Sequence, residues 1–149
     1  MIKHIWSVLC SQSLIDASSN NISLIGILEE IHLTRKPSSP KRQKETTKGK
    51  PAFPIVMEWV TLWERTPGES ANLVPVRDIV SAPSGEILVQ EEYNVDFGKH
   101  NRMRWRRKFL GLPQGGPGRY QFSRQIKDEQ TNTWESVSSL PLEVFVETQ

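Results

Sequence analysis

Apolar residues along this chain recur at every second position more consistently than at helical spacing, and the runs are short. Ile2, His4, Trp6 and Val8 alternate with Lys3, Ile5, Ser7 and Leu9, a period-two pattern that predicts a strand with both faces partly apolar. Asp16-Ala17-Ser18-Ser19-Asn20-Asn21 reads as a polar turn, and a second apolar run covers residues 22–33. Helix competes there, because Leu24, Ile27, Leu28 and Ile31 sit at helical spacing. Repeated Ile and Gly26 favour a strand, since β-branched side chains lose rotamer freedom in a helix.

Further along, Ile55, Met57, Trp59, Thr61 and Trp63 fall on one face of residues 53–65. Val56, Val60 and Leu62 fall on the other, interrupted by Glu58 and Glu64, so a central strand is predicted. Residues 74–81 give the next strand, and Ala82-Pro83-Ser84-Gly85 has the chemistry of a hairpin turn. Ile87, Val89, Glu91, Tyr93, Val95 and Phe97 alternate after it. Residues 102–110, 120–127 and 133–147 complete the series, with Pro141 splitting the last stretch at a strand start or a sheet edge. About eight short strands with Gly/Pro-rich turns and no convincing helix predict an all-β fold, a single antiparallel sandwich.

One stretch departs from this pattern. Residues 35–51 lack Ile, Leu, Val, Phe and Trp, and residues 35–50 hold seven Lys or Arg against Glu45 alone. A segment with no apolar anchor cannot offset its ordering entropy, so it reads as a mobile basic loop within one domain spanning 1–149. The loop carries +6, which leaves −4 on the rest of a chain whose net charge is +2. The sequence pI near 8.8 therefore describes one segment and does not by itself imply nucleic acid. At 149 residues, 36% hydrophobic, the chain suits one domain burying roughly 70% of its unfolded surface.

Two turn and core motifs carry a resemblance. Gly118-Arg119-Tyr120-Gln121-Phe122, after a Pro/Gly-rich turn, resembles the entry to the penultimate strand of immunoglobulin-like sandwiches, where a Tyr hydroxyl caps the corner by bonding upstream backbone. The resemblance implies that Tyr120 is that structural corner, that Phe122 takes the place of the second cysteine of antibody domains, and that Trp59 or Trp63 is the core tryptophan. The layout as a whole, with Pro54 opening the third strand and Ala82-Pro83-Ser84-Gly85-Glu86 between two others, resembles a family of uncharacterised bacterial immunoglobulin-like β-sandwich proteins. That family implies no activity.

Candidate chemistry is sparse. His4, His32 and His100 are far apart without metal-like partners at short spacing, Cys10 is the only thiol, and the four Asp lie in different segments; neither zinc nor calcium spacing is present, and no cofactor is expected. No nucleophile elbow, phosphate loop or zinc-protease helix appears, and Gly115-Gly116-Pro117-Gly118 lacks the Lys-Ser/Thr of a phosphate cradle. The single cysteine excludes an intrachain disulfide and favours a reducing compartment. Residues 5–15 are uncharged and follow Lys3, loosely like a secretory segment, but Ser7, Gln12 and Ser13 dilute them. No run reaches the roughly 20 apolar residues of a membrane span, and a cytoplasmic location is expected.

The most distinctive pattern is His100, Arg102, Arg104, Arg106 and Lys108 at period two, one cationic face of one strand. Met103, Trp105, Arg107 and Phe109 take the opposite face. Glu86, Gln90 and Glu92 on the preceding strand are the expected cross-strand partners of this row. Left uncovered, Arg102, Arg104, Arg106 and Lys108 would form an anion-binding strip. Trp105 points away from them, which disfavours a stacking platform for single-stranded nucleic acid. The expectation is a non-catalytic interaction or structural module with a protein partner or self-association. A binder of an anionic polymer, nucleic acid or an acidic surface, is the alternative, and an unrecognised hydrolase the third reading.

Overall fold

The computed structural model describes residues 2–35, 51–68 and 73–148. Eleven strands and no helix are found among them: β1 (Ile2–Ile15), β2 (Ile22–Ile27), β3 (Glu30–Arg35), β4 (Ala52–Phe53), β5 (Met57–Arg65), β6 (Leu73–Ser81), β7 (Ile87–Asp96), β8 (Arg102–Phe109), β9 (Leu112–Pro113), β10 (Gly118–Asp128) and β11 (Thr133–Thr148). They form a four-stranded sheet, β2-β1-β5-β8, a five-stranded sheet, β3-β11-β10-β6-β7, and a two-stranded ribbon, β4-β9. Residues 36–50, most of the expected basic loop, lie outside the described residues.

The two larger sheets pack face to face because their period-two patterns each present one apolar side. Leu9, Met57, Trp59 and Phe109 from the four-stranded sheet meet Val80, Tyr120, Phe122, Leu142 and Val144 from the five-stranded one. Trp63, Val74, Val76, Val95 and Phe97 form a second cluster, with Met103 and Trp105 packed against it. Every residue predicted for the inward face of β5 from Met57 to Trp63 is fully buried, and β5 lies between β1 and β8.

Several expectations are corrected. The apolar run at residues 22–33 is two strands in different sheets, β2 paired antiparallel to β1 and β3 paired parallel to β11. The larger sheet is therefore mixed rather than purely antiparallel. A run of this length need not be one element, because the chain crosses between sheets at Leu28-Glu29. Pro141 does not split β11, which continues from Thr133 to Thr148. Pro141 lies opposite Gln121 of β10, and β3 pairs β11 only from Glu143 onward, so the missing N–H removes no β3 hydrogen bond. His100 lies before β8 and not on it.

Candidate functional site: the arginine strand and the turn that lies over it

β8 is an edge strand, hydrogen-bonded to β5 alone. The register sets Arg102 opposite Glu64, Arg104 opposite Leu62, Arg106 opposite Val60 and Lys108 opposite Glu58. Directly opposed residues share a face, so the cationic row stands on the outer side of the four-stranded sheet. The expected partners Glu86, Gln90 and Glu92 do not face it, since β7 belongs to the other sheet. The connection through Phe97-Gly98, with Gly98 N–H donating to Asp96 Oδ1 at 2.8 Å and His100 N–H donating to the Phe97 carbonyl at 2.8 Å, carries the chain across to the other sheet and does not close a hairpin. Glu92 instead accepts from Arg77.

Each arginine of the row finds a different partner. Arg102 Nε donates to Glu64 Oε2 at 2.8 Å in a pair open to solvent, the two side chains being 74% and 39% exposed. Arg104 Nη2 donates to Asn20 Oδ1 at 2.6 Å. Arg106 Nη1 donates to Ser13 Oγ at 3.3 Å, and that hydroxyl donates to Glu58. The neutral partners come from β1 and the β1–β2 turn, which lies over the outer face of the sheet.

That turn is built by Asp16. Its Oδ1 accepts from the backbone N–H groups of Ser18 and Ser19 at 2.9 and 2.7 Å and from both hydroxyls, an Asx-type arrangement. These bonds, that of the Ser18 hydroxyl foremost, hold the Asp16 carboxyl at about 2, well below the usual carboxylate range. Asn20 follows at φ 57°, a left-handed position that Asn tolerates. Between turn and strand lies a groove of about 530 Å³ walled by Arg102, Met103 and Arg104 on one side and Ser19, Asn20, Asn21 and Ile22 on the other, with Trp6 and Leu62 at its floor.

The inner face of β8 carries one further arginine, and it belongs to a different constellation. Arg107 Nη1 donates to Asp78 Oδ2 at 3.0 Å and its Nη2 to Glu91 Oε2 at 2.6 Å. Asp78 is fully buried and is also held by Arg124, fully buried itself, through Nε–Oδ1 at 2.6 Å and Nη2–Oδ2 at 2.8 Å. Tyr93 Oη donates to the same carboxylate at 3.1 Å. Arg124 lies over the Trp59 ring at 4.0 Å and donates to Thr61, which continues through Ser7 to His4 Nε2, each step 2.7 Å. Burial, and next the Arg124 charge, lower the His4 pKa. Sequence reasoning missed this network although its signal was present: Asp78 sits in phase with Val76 and Val80, and Arg124 in phase with Tyr120 and Phe122, so both charges occupy inward positions.

The remaining predicted residues are dispersed. Tyr120 Oη donates to the Gly116 carbonyl at 2.7 Å and accepts from Gly115 N–H at 2.8 Å. His32 stacks on Phe145 at 4.7 Å on the five-stranded sheet. Cys10 is buried and free, its thiol pKa raised by burial first and by the Glu58 charge second. Trp105 stacks on Tyr93 at 5.0 Å, between the sheets and away from the arginine row. Among the described residues no cluster of three His, Cys, Asp or Glu has metal-holding geometry, and no helix is long and apolar enough to cross a membrane. Models of known protein families do not match the chain, and no curated protein matches it.

Proposed function

We propose that the protein is a non-catalytic interaction module on an immunoglobulin-like sandwich, and that its partner is a second copy of itself, joined through the edge strand β2. One observation carries the reading. Three of the four edges of the two larger sheets bear charge: β8 holds Arg102, Arg104, Arg106, Arg107 and Lys108, β7 holds Glu91, Glu92 and Asp96, and β3 holds Glu30. β2, Ile-Ser-Leu-Ile-Gly-Ile, has no charge and no Pro. Free strands present unpaired backbone donors and acceptors, and charged side chains are the usual protection against edge-to-edge pairing.

Exposure agrees with this. Ile25 and Ile27 of β2 are 46% and 60% exposed, and Leu14 beside them is 49% exposed. A second copy suits the edge on charge grounds. Two β2 strands laid antiparallel about a twofold axis set no like charges against each other, whereas self-pairing of β8 or β7 would oppose arginine to arginine or glutamate to glutamate.

The immunoglobulin-like part of the reading, and the likeness to the bacterial sandwich family, rest on topology and corner chemistry. β1-β5-β8 facing β11-β10-β6 has the order A-B-E facing G-F-C of that fold. The Tyr120 hydroxyl bonds backbone four and five residues upstream. Trp59 meets Phe122 edge-on at 5.6 Å, where antibody domains have their inter-sheet disulfide. Both core tryptophans then lie on the strand in the B place rather than the C place. A buried, free Cys10 suits the reducing cytoplasm.

Sedimentation equilibrium tests the partner. The wild-type protein is expected to dimerise at micromolar concentration and Ile25→Lys to remain monomeric, with a urea midpoint equal to that of the wild type diluted until it too is monomeric. A wild type that stays monomeric up to millimolar concentration, or an Ile25→Lys variant that dimerises equally well, overturns the proposal.

A further inference from the structure

The groove beneath the β1–β2 turn touches β2 only at its first residue, Ile22, and carries a reading of its own. We infer that it is a binding site for a small monocarboxylate with a flat apolar body, the carboxylate held by Arg104 and the body lying on Trp6 and Leu62. The argument starts from the difference between two neighbouring arginines. Arg102 is neutralised by Glu64, whereas Arg104 is held by the amide oxygen of Asn20, which fixes the guanidinium without cancelling its charge. A half-buried, oriented arginine with a neutral partner is a pre-organised anion receptor, since its remaining N–H groups form a planar fork that matches a carboxylate.

The surroundings narrow the ligand. With Arg102 balanced by Glu64, the walls present one positive charge without a counter-charge among the described residues, which suits a monoanion better than a polyanion. A volume of about 530 Å³ falls in the range of small-molecule sites, roughly 300–1,000 Å³. Trp6 and Leu62 supply an apolar floor, and the Asn21 amide at the rim can donate or accept. Asp16 ties the turn through four hydrogen bonds, so Asn20 is positioned before any ligand arrives.

Isothermal titration with 2-naphthoate, 2-naphthamide and inorganic phosphate tests the inference, with the tryptophan indole resonances followed by NMR. Saturable binding of 2-naphthoate is expected, weakened about tenfold or more in 2-naphthamide and in Arg104→Gln. Arg106→Gln, which removes an equal charge outside the groove, should leave affinity within about twofold, and one indole signal should shift on binding and be lost in Trp6→Phe. Because the naphthoate and naphthamide comparison uses the wild-type protein, it decides the matter even if Arg104→Gln folds poorly. Equal affinity for the acid and the amide, an equal loss in Arg106→Gln, competition by phosphate as effective as that by naphthoate, or no saturable binding overturns the inference.

Discussion

Arg107 and Arg102 lie on the same strand, and only the direction of their side chains separates their circumstances. Arg102 points outward into a pair whose members are both well exposed, while Arg107, 17% exposed, reaches a carboxylate with no exposure at all. Water solvates the first pair and screens it, so little free energy depends on it. The second pair lies where desolvation is costly and the attraction is weakly screened. Asp78 there is offset by two guanidiniums and a phenol, and Arg107 is further balanced by Glu91. Burial rather than charge count decides what an ion pair is worth. The solvent-exposed arginine pair is therefore expected to tolerate substitution better than the inward aspartate.

The sharpest way to break this comparison is Asp78→Asn, which leaves Arg124 buried without a counter-charge. A loss of about 3–5 kcal/mol is expected in urea unfolding. A loss below about 1 kcal/mol would mean that the interior is far better solvated than the packing implies.

Next in size is Arg107→Gln, expected to cost about 2 kcal/mol because it removes charge-assisted bonds to Asp78 and Glu91 while Arg124 still compensates the aspartate. Arg102→Gln on the same strand should cost less than about 1 kcal/mol. Equal losses from the two substitutions would abolish the distinction between the faces.

The smallest effect is a slope with pH. The folded state lowers the His4 pKa from its ordinary 6.5 by burial and by the Arg124 charge. The unfolded chain therefore takes up that proton first as pH falls. The contribution of His4 is complete above about 6.5 and is lost progressively below it. His4→Gln should flatten the dependence of the urea midpoint on pH between neutrality and the folded pKa, and an unaltered slope would detach His4 from the buried network.

The strand pattern was legible because alternation is a local property of the pleat. β6, β7, β8 and β10 fall close to the predicted ranges, whereas the run expected at 53–65 forms its central strand only from Met57, Phe53 pairing instead with Leu112 in the β4-β9 ribbon; the inward residues of β5 and β6 are those the period selects. The arginine row was legible for the same reason. Its partners were not, since Asn20, Ser13 and Glu64 reach it from an overlying turn and from strands remote in sequence. The split of residues 22–33 also escaped the pattern, because an apolar run does not mark where a chain leaves one sheet for another. Asp78 and Arg124 were readable as inward charges, and their opposition across β6 and β10 came only with the register.

What the sequence determined by itself is therefore an all-β chain, the core-facing side of β5 and β8, and the +6 carried by residues 35–50. The tertiary structure alone decided which strands became edges, which of them was left uncharged, and where a turn folded over the arginines to enclose a groove. Side-chain alternation needs only neighbouring residues. Strand order and edge exposure depend on hydrogen bonds between segments far apart in the chain, whose partners local alternation does not encode.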